Sequence, residues 1–333
     1  MSRQTINALA AVSLLLCACW CKSALGADSG AESSSGVTRH PTVDDATIER
    51  LRALHYSESH QVRLVLLPTS VTDKKGRTIQ GLDQEDFRLF ENREKQEIRF
   101  FSSEAREPIS IAFVLDVSGS MRQLEKLEHA KAAIRFFVDH LQPRDRFALI
   151  CFADDQVAWV TEFTRDRERF LRRLMVQDGY GQTALNDAVA ATPGLVDERT
   201  QGRRAIILIT DGVDNYSRLT ASEAVELARH VHVPIYAIGF LSVDAGMLPK
   251  GAVETNLEVL DYVSRETGGR LFTVHDPDEL KDTVAEVEVE LRHQYVLGYY
   301  PTWSSADGSF RYIRVETSKG SLRVRTRSGY YAE

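Results

Sequence analysis

The alternation of strand and helix patterns over residues 107–293 predicts an α/β fold, with a doubly wound, mostly parallel six-stranded sheet and helices on both faces. The runs 109–115 and 205–209 are continuously apolar, as strands covered on both faces should be. Between them, apolar residues recur at helical spacing, most clearly over 124–141. Shorter alternating runs on either side predict a small β-sandwich in which this domain is inserted or by which it is flanked.

The elements of the α/β domain follow from these patterns in chain order. The predicted strands are 109–115, 147–152, 157–160, 205–209, 235–240 and 270–274, and the predicted helices are 124–141, 165–175, 184–196, 222–229, 257–266 and 277–292. The short turn 153–156 joins the second and third strands and predicts an antiparallel hairpin. The β segments in 59–106 and 294–333 are each too small to fold alone, so we expect them to pair with each other.

The composition is that of a folded protein. The chain has 333 residues, which is enough for about two domains. Of these residues, 43% are hydrophobic and 27% are charged. The formal net charge of −7 provides no electrostatic attraction for a nucleic-acid backbone. We therefore expect no nucleic-acid partner.

The first 26 residues have the pattern of a secretory signal peptide: a short basic start, an apolar run and small residues before the cleavage site. We predict cleavage between Gly26 and Ala27, which would place the mature chain in the periplasm or outside the cell. A lipoprotein signal is the alternative, because 16–19 resembles a lipobox in which Cys19 would carry the lipid. The apolar run is too short for a transmembrane helix, and no other long apolar stretch follows.

The cysteines do not form a disulfide framework. Three of the four lie in the predicted signal peptide, which leaves Cys151 alone in the mature chain. Cys151 lies within an apolar run, and we interpret it as an unreactive thiol of the core. A polar, flexible tether is predicted over 27–58.

Oxygen-bearing side chains follow the ends of three predicted elements. Asp116, Ser118 and Ser120 come directly after the first strand of the domain. Asp211 follows the fourth strand, and Thr183 lies in a glycine-containing loop that enters a helix. The first and fourth strands of a doubly wound sheet are neighbours at its switch point, where such sheets bind ligands. We therefore expect the two carboxylates and three hydroxyls to lie close together.

All five candidate ligands are hard oxygen donors. Such donors suit Mg²⁺, Mn²⁺ or Ca²⁺, and the lack of sulfur and imidazole argues against zinc. Neutral hydroxyls leave much of the positive charge on a bound cation, which could then accept an acidic side chain from another molecule.

The sequence Asp116-x-Ser118-x-Ser120, followed by Thr183 and Asp211, resembles the metal-ion-dependent adhesion site of von Willebrand factor type A (VWA) domains. The resemblance covers about 108–292 and implies a Rossmann-like sheet. It also implies that the serines and the threonine coordinate the ion, while the aspartates bind it directly or through water. The chain departs from the frequent Gly-Gly-Thr sequence of the family, because Gln182 precedes the threonine.

The flanking segments resemble those of a bacterial exported group of VWA proteins. The stretch 81–92 resembles its N-terminal segment, and 295–301 and 327–330 resemble its C-terminal segment. This resemblance supports the expectation of an inserted domain.

Three further polar residues lie near the same loops: Asp187, Asp214 and Asn215. Their side chains could hydrogen-bond the candidate ligands. Capping of the loops is the alternative role.

The favoured hypothesis is a protein-binding module whose cation captures an Asp or Glu carboxylate of a protein partner. A second hypothesis is a metal-dependent phosphotransferase or hydrolase with Asp116 as its nucleophile. Phosphatases of that type commonly have a second Asp two residues later, where this chain has Ser118. A third is a structural scaffold with a non-functional metal site. A fourth is a cytosolic partner of an ATPase, which the predicted signal peptide disfavours.

Overall fold

The computed structural model describes most of the chain after residue 63. The described ranges are 64–103, 107–197, 203–212, 214–230, 232–240, 252–276, 279–302 and 307–332. The predicted signal peptide, with Cys19, Gly26 and Ala27, lies outside the described residues, as does the predicted tether. In the described part of the chain, no helix has the length and apolar character needed to cross a membrane.

The elements are labelled here in chain order. The strands are β1 (Val65–Thr72), β2 (Phe87–Glu91), β3 (Glu94–Gln96), β4 (Phe100–Ser102), β5 (Ile109–Asp116), β6 (Arg146–Ala153), β7 (Gln156–Thr164), β8 (Arg203–Thr210), β9 (Ile235–Phe240), β10 (Leu271–Val274), β11 (Tyr295–Tyr299), β12 (Phe310–Thr317), β13 (Arg323–Arg325) and β14 (Gly329–Tyr331). The helices are α1 (Lys126–His140), α2 (Arg167–Met175), α3 (Leu185–Asp197), α4 (Ala221–His230), α5 (Ala252–Thr267) and α6 (Leu280–Arg292). Short 3-10 segments span Gln84–Asp86 and Gly119–Glu125.

The central sheet, within the described residues, has six strands in the order β10-β9-β8-β5-β6-β7. All neighbouring strands in it are parallel except β7, which is antiparallel to β6, as the short turn between them predicts. The strand order reverses at β5, so the carboxyl ends of β5 and β8 meet at the switch point. The predicted fold class is confirmed.

Helices cover both faces of this sheet because both faces of β5 are apolar. Ile111, Phe113 and Leu115 pack in one core with residues of α1, α2 and α6. Ala112 and Val114 point the other way and pack in a second core with residues of α3, α4 and α5. Side chains of a strand alternate between faces, so the continuous apolar run serves both cores at once.

Strands from the two ends of the described chain form two smaller antiparallel sheets. Among the described strands, one sheet has the order β13-β1-β11-β4 and the other has the order β14-β12-β2-β3. Each sheet therefore combines strands from before and after the central domain. Their inward side chains, including Leu67, Leu89, Leu297 and Val315, share one hydrophobic core.

Local backbone geometry explains two differences from the predicted elements. In the N-terminal segment, the alternating runs 87–92 and 98–101 predict strands, but strand β3 between them is not predicted. It follows a tight turn at Asn92 and Arg93, whose φ angles are 47° and 72°. Such turns favour glycine, and its absence here hides the hairpin in the sequence. Helix α1 begins at Lys126 rather than at 124, because Leu124 and Glu125 have left-handed φ angles of 53° and 56°.

Candidate metal centre

Asp116 is the last residue of β5 and is fully buried. Its Oδ1 accepts a hydrogen bond from the backbone N–H of Ser118 at 2.8 Å. Its Oδ2 accepts one from the hydroxyl of Thr210 at 2.6 Å, and that hydroxyl accepts the N–H of Gly212 at 3.0 Å. The end of β8 thus fixes the carboxylate at the end of β5.

The hydroxyl groups of Ser118 and Ser120 lie 3.0 Å apart at the start of the 3-10 segment. Between them, the N–H of Gly119 donates to the carbonyl of Gly181 at 3.0 Å. A Cβ at Gly119 would lie 3.2 Å from the same carbonyl oxygen, so the close approach of the two loops favours glycine there. The turn after β5 is therefore packed against the loop that carries Thr183.

Thr183 is buried and is held by its backbone. Its N–H donates to Oδ1 of Asn215 at 2.9 Å, and its carbonyl accepts the backbone N–H groups of Asn215 and Tyr216. On the other side of the loop, the N–H of Gln182 donates to Oδ1 of Asp154 at 2.7 Å. The residue that departs from the frequent family sequence is thus held by the turn between β6 and β7.

Asp211 is buried just after β8, beside the first residue of α1. Its Oδ2 accepts a hydrogen bond from Nζ of Lys126 at 3.1 Å, in an ion pair with both side chains nearly inaccessible to solvent. Its Oδ1 is also buried, and it finds no hydrogen-bond donor among the described residues. Only one of the two oxygens of this carboxylate is satisfied by the described protein.

The environment of Asp116 opposes its charge. Burial, followed by the nearby charge of Asp211, raises the pKa of Asp116 from its ordinary value of 3.8 to about 6. Hydrogen bonds from Thr210 and Ser118 act in the opposite direction. A positive charge at this edge of the sheet would stabilise both carboxylates.

The sequence-family model of the von Willebrand factor type A domain matches residues 110–286, which are more than half of the chain. The chain belongs to the von Willebrand factor type A family. The resemblance that the motif predicts is thereby confirmed. VWA domains mediate protein–protein interactions, commonly bind a divalent cation, and are mostly adhesion or scaffold modules without enzymatic activity.

Similar proteins align with part of this chain and with part of their own length. An uncharacterized protein of Borreliella burgdorferi is 29% identical in an alignment of 185 residues that covers 50% of this chain and 54% of that protein. Inter-alpha-trypsin inhibitor heavy chain H4 of Homo sapiens is 30% identical in an alignment of 201 residues that covers 54% of this chain and 20% of that protein. The chain thus spans about half of the first relative and about a fifth of the second.

Among solved structures, the chain aligns with proximal thread matrix protein 1 from the mussel byssus with a TM-score of 0.46. That structure has zinc in its metal-ion-dependent adhesion site (MIDAS) motif. The two sequences are 20% identical, and the alignment covers 60% of this chain and 49% of that one.

Asp187 and Asp214 hold a neighbouring loop of the VWA domain. The carboxylate of Asp187 accepts the N–H groups of Arg218 and Leu219 at 3.0–3.1 Å. Asp214 accepts the N–H of Asn186 at 2.9 Å and the hydroxyl of Ser217. Both carboxylates therefore tie the loop before α4 to the start of α3, which is the capping role considered from the sequence.

The donor set can be tested against a divalent cation. No cluster of three or more His, Cys, Asp or Glu side chains suited to a metal occurs in the part of the chain that the structure describes. A cation at this edge would therefore depend on hydroxyl ligands as well as on Asp116 and Asp211. The adjacent hydroxyls and the unsatisfied Oδ1 of Asp211 fit such an ion, since all are hard oxygen acceptors.

Sequence reasoning missed two residues of this centre, Thr210 and Lys126. A threonine before the aspartate that follows β8 carries no distinctive signal, because threonine is common in strands. Cys151 lies in the core as predicted, and burial raises the pKa of its thiol far above the ordinary value. That shift favours an unreactive thiol.

Proposed function

We propose that this protein is a non-enzymatic, exported binding module that holds a divalent cation at Asp116, Ser118, Ser120, Thr183 and Asp211. The cation would capture an acidic side chain of a protein partner. The observation that carries the proposal is the buried Oδ1 of Asp211, which has no hydrogen-bond donor among the described residues. An unsatisfied buried oxygen is costly, so its presence supports a site built for a group that the folded chain does not supply.

The chemistry of the donors favours Mg²⁺, with Mn²⁺ and Ca²⁺ as alternatives. Ser118, Ser120 and Thr183 would contribute neutral oxygens, and Asp116 and Asp211 would bind directly or through water. When bound, the cation supplies a positive centre for a partner's carboxylate. The residues of the chain hold the donors in place: Thr210 fixes Asp116, and Asn215 fixes the backbone of Thr183.

The surface beside the centre supports contact with a protein. Ser120 is partly exposed and Gln182 is exposed, so the centre lies next to solvent on this side. Tyr180 and Tyr216 are each 46% exposed. Tyr180 lies in the loop that carries Thr183, and the backbone N–H of Tyr216 donates to the carbonyl of Thr183. Tyrosine gives a large contact area with one polar tip and is enriched at protein interfaces.

Export is the part of the proposal that rests on sequence alone. The signal-peptide pattern ends at Gly26, with Cys19 as the lipid anchor in the lipoprotein alternative. The mass of the mature chain, measured on protein secreted by its own host, distinguishes cleavage before Ala27 from lipidation at Cys19. Full-length, unlipidated protein in the cytoplasm would contradict export.

The binding function is tested by affinity capture from the exported fraction of the host. The immobilised chain is compared in Mg²⁺ and in EDTA, with Asp116→Ala as the test variant and Asp155→Ala as the matched control. Asp155 lies in the turn between β6 and β7 and is outside the proposed ligand set. We expect a defined partner to be retained by the wild type and the control in Mg²⁺ and to be released by EDTA.

The same partner should not be retained by Asp116→Ala, provided that circular dichroism shows a folded variant. Retention that is unchanged by both EDTA and Asp116→Ala would contradict cation-dependent capture.

A further inference from the structure

Lys126 occupies an unusual place for a lysine. It is the first residue of α1, is only 5% exposed, and its Nζ lies 3.1 Å from Oδ2 of Asp211. Lysine is almost never buried unless it is paired, so this contact is a built feature rather than an incidental surface pair.

The backbone before Lys126 is strained. Leu124 and Glu125 are consecutive non-glycine residues with left-handed φ angles of 53° and 56°. This conformation is unfavourable for residues with a Cβ and tends to persist where function requires it. Leu124 is also 59% exposed, so burial of its side chain does not compensate for the strain. The turn starts α1 where the side chain of Lys126 reaches the edge of the sheet.

The ammonium group changes the charge of the centre. Asp116 and Asp211 carry two negative charges when ionised, and Lys126 offsets one of them. Counted as formal charges, a centre with a divalent cation and two ionised carboxylates sums to zero without Lys126 and to one positive charge with it. That charge would attract a carboxylate and would also weaken the binding of the cation itself.

We propose that Lys126 is a positioning residue that holds Oδ2 of Asp211, leaves Oδ1 to the cation, and keeps the loaded centre positive. It lowers cation affinity and strengthens the capture of an acidic group. This inference rests on the proposed function, because it requires a cation at the same centre. One side chain thereby has opposite effects on the two binding steps, which a neutral hydrogen-bond donor to Asp211 would not have.

The test uses Mn²⁺ as the cation and acetate as the carboxylate. The variant Lys126→Gln keeps a hydrogen-bond donor near Asp211 without the charge, and Lys126→Arg keeps the charge. Titration calorimetry measures Mn²⁺ affinity, and the relaxation of water protons by bound Mn²⁺ reports its displacement by acetate. We expect Lys126→Gln to bind Mn²⁺ about tenfold more tightly and to require several-fold more acetate for half-displacement of water. Lys126→Arg should stay within about threefold of the wild type in both measurements.

The outcomes separate this inference from the proposed function. A wild type that binds no Mn²⁺ would overturn the proposed function and the inference together. A wild type that binds Mn²⁺, with Lys126→Gln binding no more tightly, would overturn the inference alone. If Lys126→Gln folds only when Mn²⁺ is added, the cation replaces the missing charge, which supports the inference. If it does not fold at any Mn²⁺ concentration, Lys126→Arg decides, and a tenfold change in its affinity would contradict a role based on charge.

Discussion

The central sheet buries an aspartate beside a basic side chain at each end of its parallel strands, but the two carboxylates are satisfied differently. At the amino edge, where the parallel strands begin, Asp145 precedes β6 and is paired with Arg292 of α6 at 2.7 Å. Its Oδ1 also accepts the N–H of Ile109, and its Oδ2 accepts the N–H of Gln142. Both oxygens are therefore occupied by groups of the protein.

At the carboxyl edge, Asp211 is paired with Lys126 through Oδ2 alone, and Oδ1 has no donor within the described ranges. The nearby Asp116 has a raised pKa because of burial and of the charge on Asp211. The same fold thus satisfies the carboxylate of Asp145 completely with its own groups, where that carboxylate holds elements together. The carboxyl edge, where Oδ1 of Asp211 has no donor among the described residues, is also where the proposed function requires a bound cation.

The largest expected effect is at the amino edge. Asp145→Ala leaves Arg292 buried without its main partner, and we expect a loss of about 3–5 kcal/mol in the free energy of unfolding, with or without Mg²⁺. Urea denaturation in Mg²⁺ and in EDTA measures this. The matched control is Asp139→Ala, which removes an exposed pair with Arg135 at 3.8 Å and should cost less than about 1 kcal/mol. If Mg²⁺ abolished the loss of unfolding free energy in Asp145→Ala, the two edges would not differ in their dependence on a cation.

The next effect is the pH dependence of the metal-free carboxyl edge. The pKa of Asp116 is about 6 in the folded chain and 3.8 ordinarily, so the folded state binds its proton more tightly than the unfolded state. The associated stability is fully present below about pH 3.8 and is lost as the pH rises through about 6. The expected loss is roughly 3 kcal/mol.

This loss is measured in EDTA as the difference in unfolding free energy between the wild type and Asp116→Asn from pH 4 to 7. Mg²⁺ should reduce the loss above pH 6, because it favours the ionised carboxylate. Parallel pH profiles for the two proteins in EDTA would contradict the environment assigned to Asp116.

The smallest effect concerns the hydroxyl of Thr210, which donates to Asp116 and accepts from Gly212. Thr210→Val removes both hydrogen bonds, and we expect a loss of about 1–2 kcal/mol in unfolding free energy together with weaker Mg²⁺ binding. Thr210→Ser keeps the hydroxyl and serves as the control. Calorimetric titration and urea denaturation measure the two effects. Equal Mg²⁺ affinity in the valine and serine variants would show that Thr210 does not position the carboxylate.

Much of the VWA domain could be predicted from local patterns. The continuous apolar run of β5 and the helical spacing after it specify two-sided burial, and the predicted sheet follows from them. The five candidate ligands lie at the predicted ends and loops of the elements. Their order along the chain is informative because strand ends at a switch point are close in any doubly wound sheet.

The position of Lys126 could not be predicted in the same way. Helical spacing through Leu124, Leu127 and Ala130 places position 126 beside the apolar stripe, where a lysine is expected to face solvent. Its burial depends on Asp211, 85 residues away, and on the left-handed turn before α1. Such long-range pairing overrides a local pattern and leaves no signal in it.

The order of strands in the two smaller sheets was also beyond local patterns. The flanking segments predict strands that pair with each other, and the structure places β1 beside β11 and β2 beside β12. The register of each pair depends on the shared core, where Leu67 and Leu297 meet the side chains of the opposite sheet.

Cation binding at this centre is tested most directly by anomalous diffraction from crystals of the wild-type protein grown with Mn²⁺. We expect a strong anomalous peak at the carboxyl edge of the central sheet, within coordination distance of the hydroxyl groups of Ser118 and Ser120. The peak should be absent from crystals of Asp116→Ala. The absence of a peak at this edge at a saturating Mn²⁺ concentration, or a peak that is unchanged in the variant, would contradict a cation site at Asp116, Ser118 and Ser120.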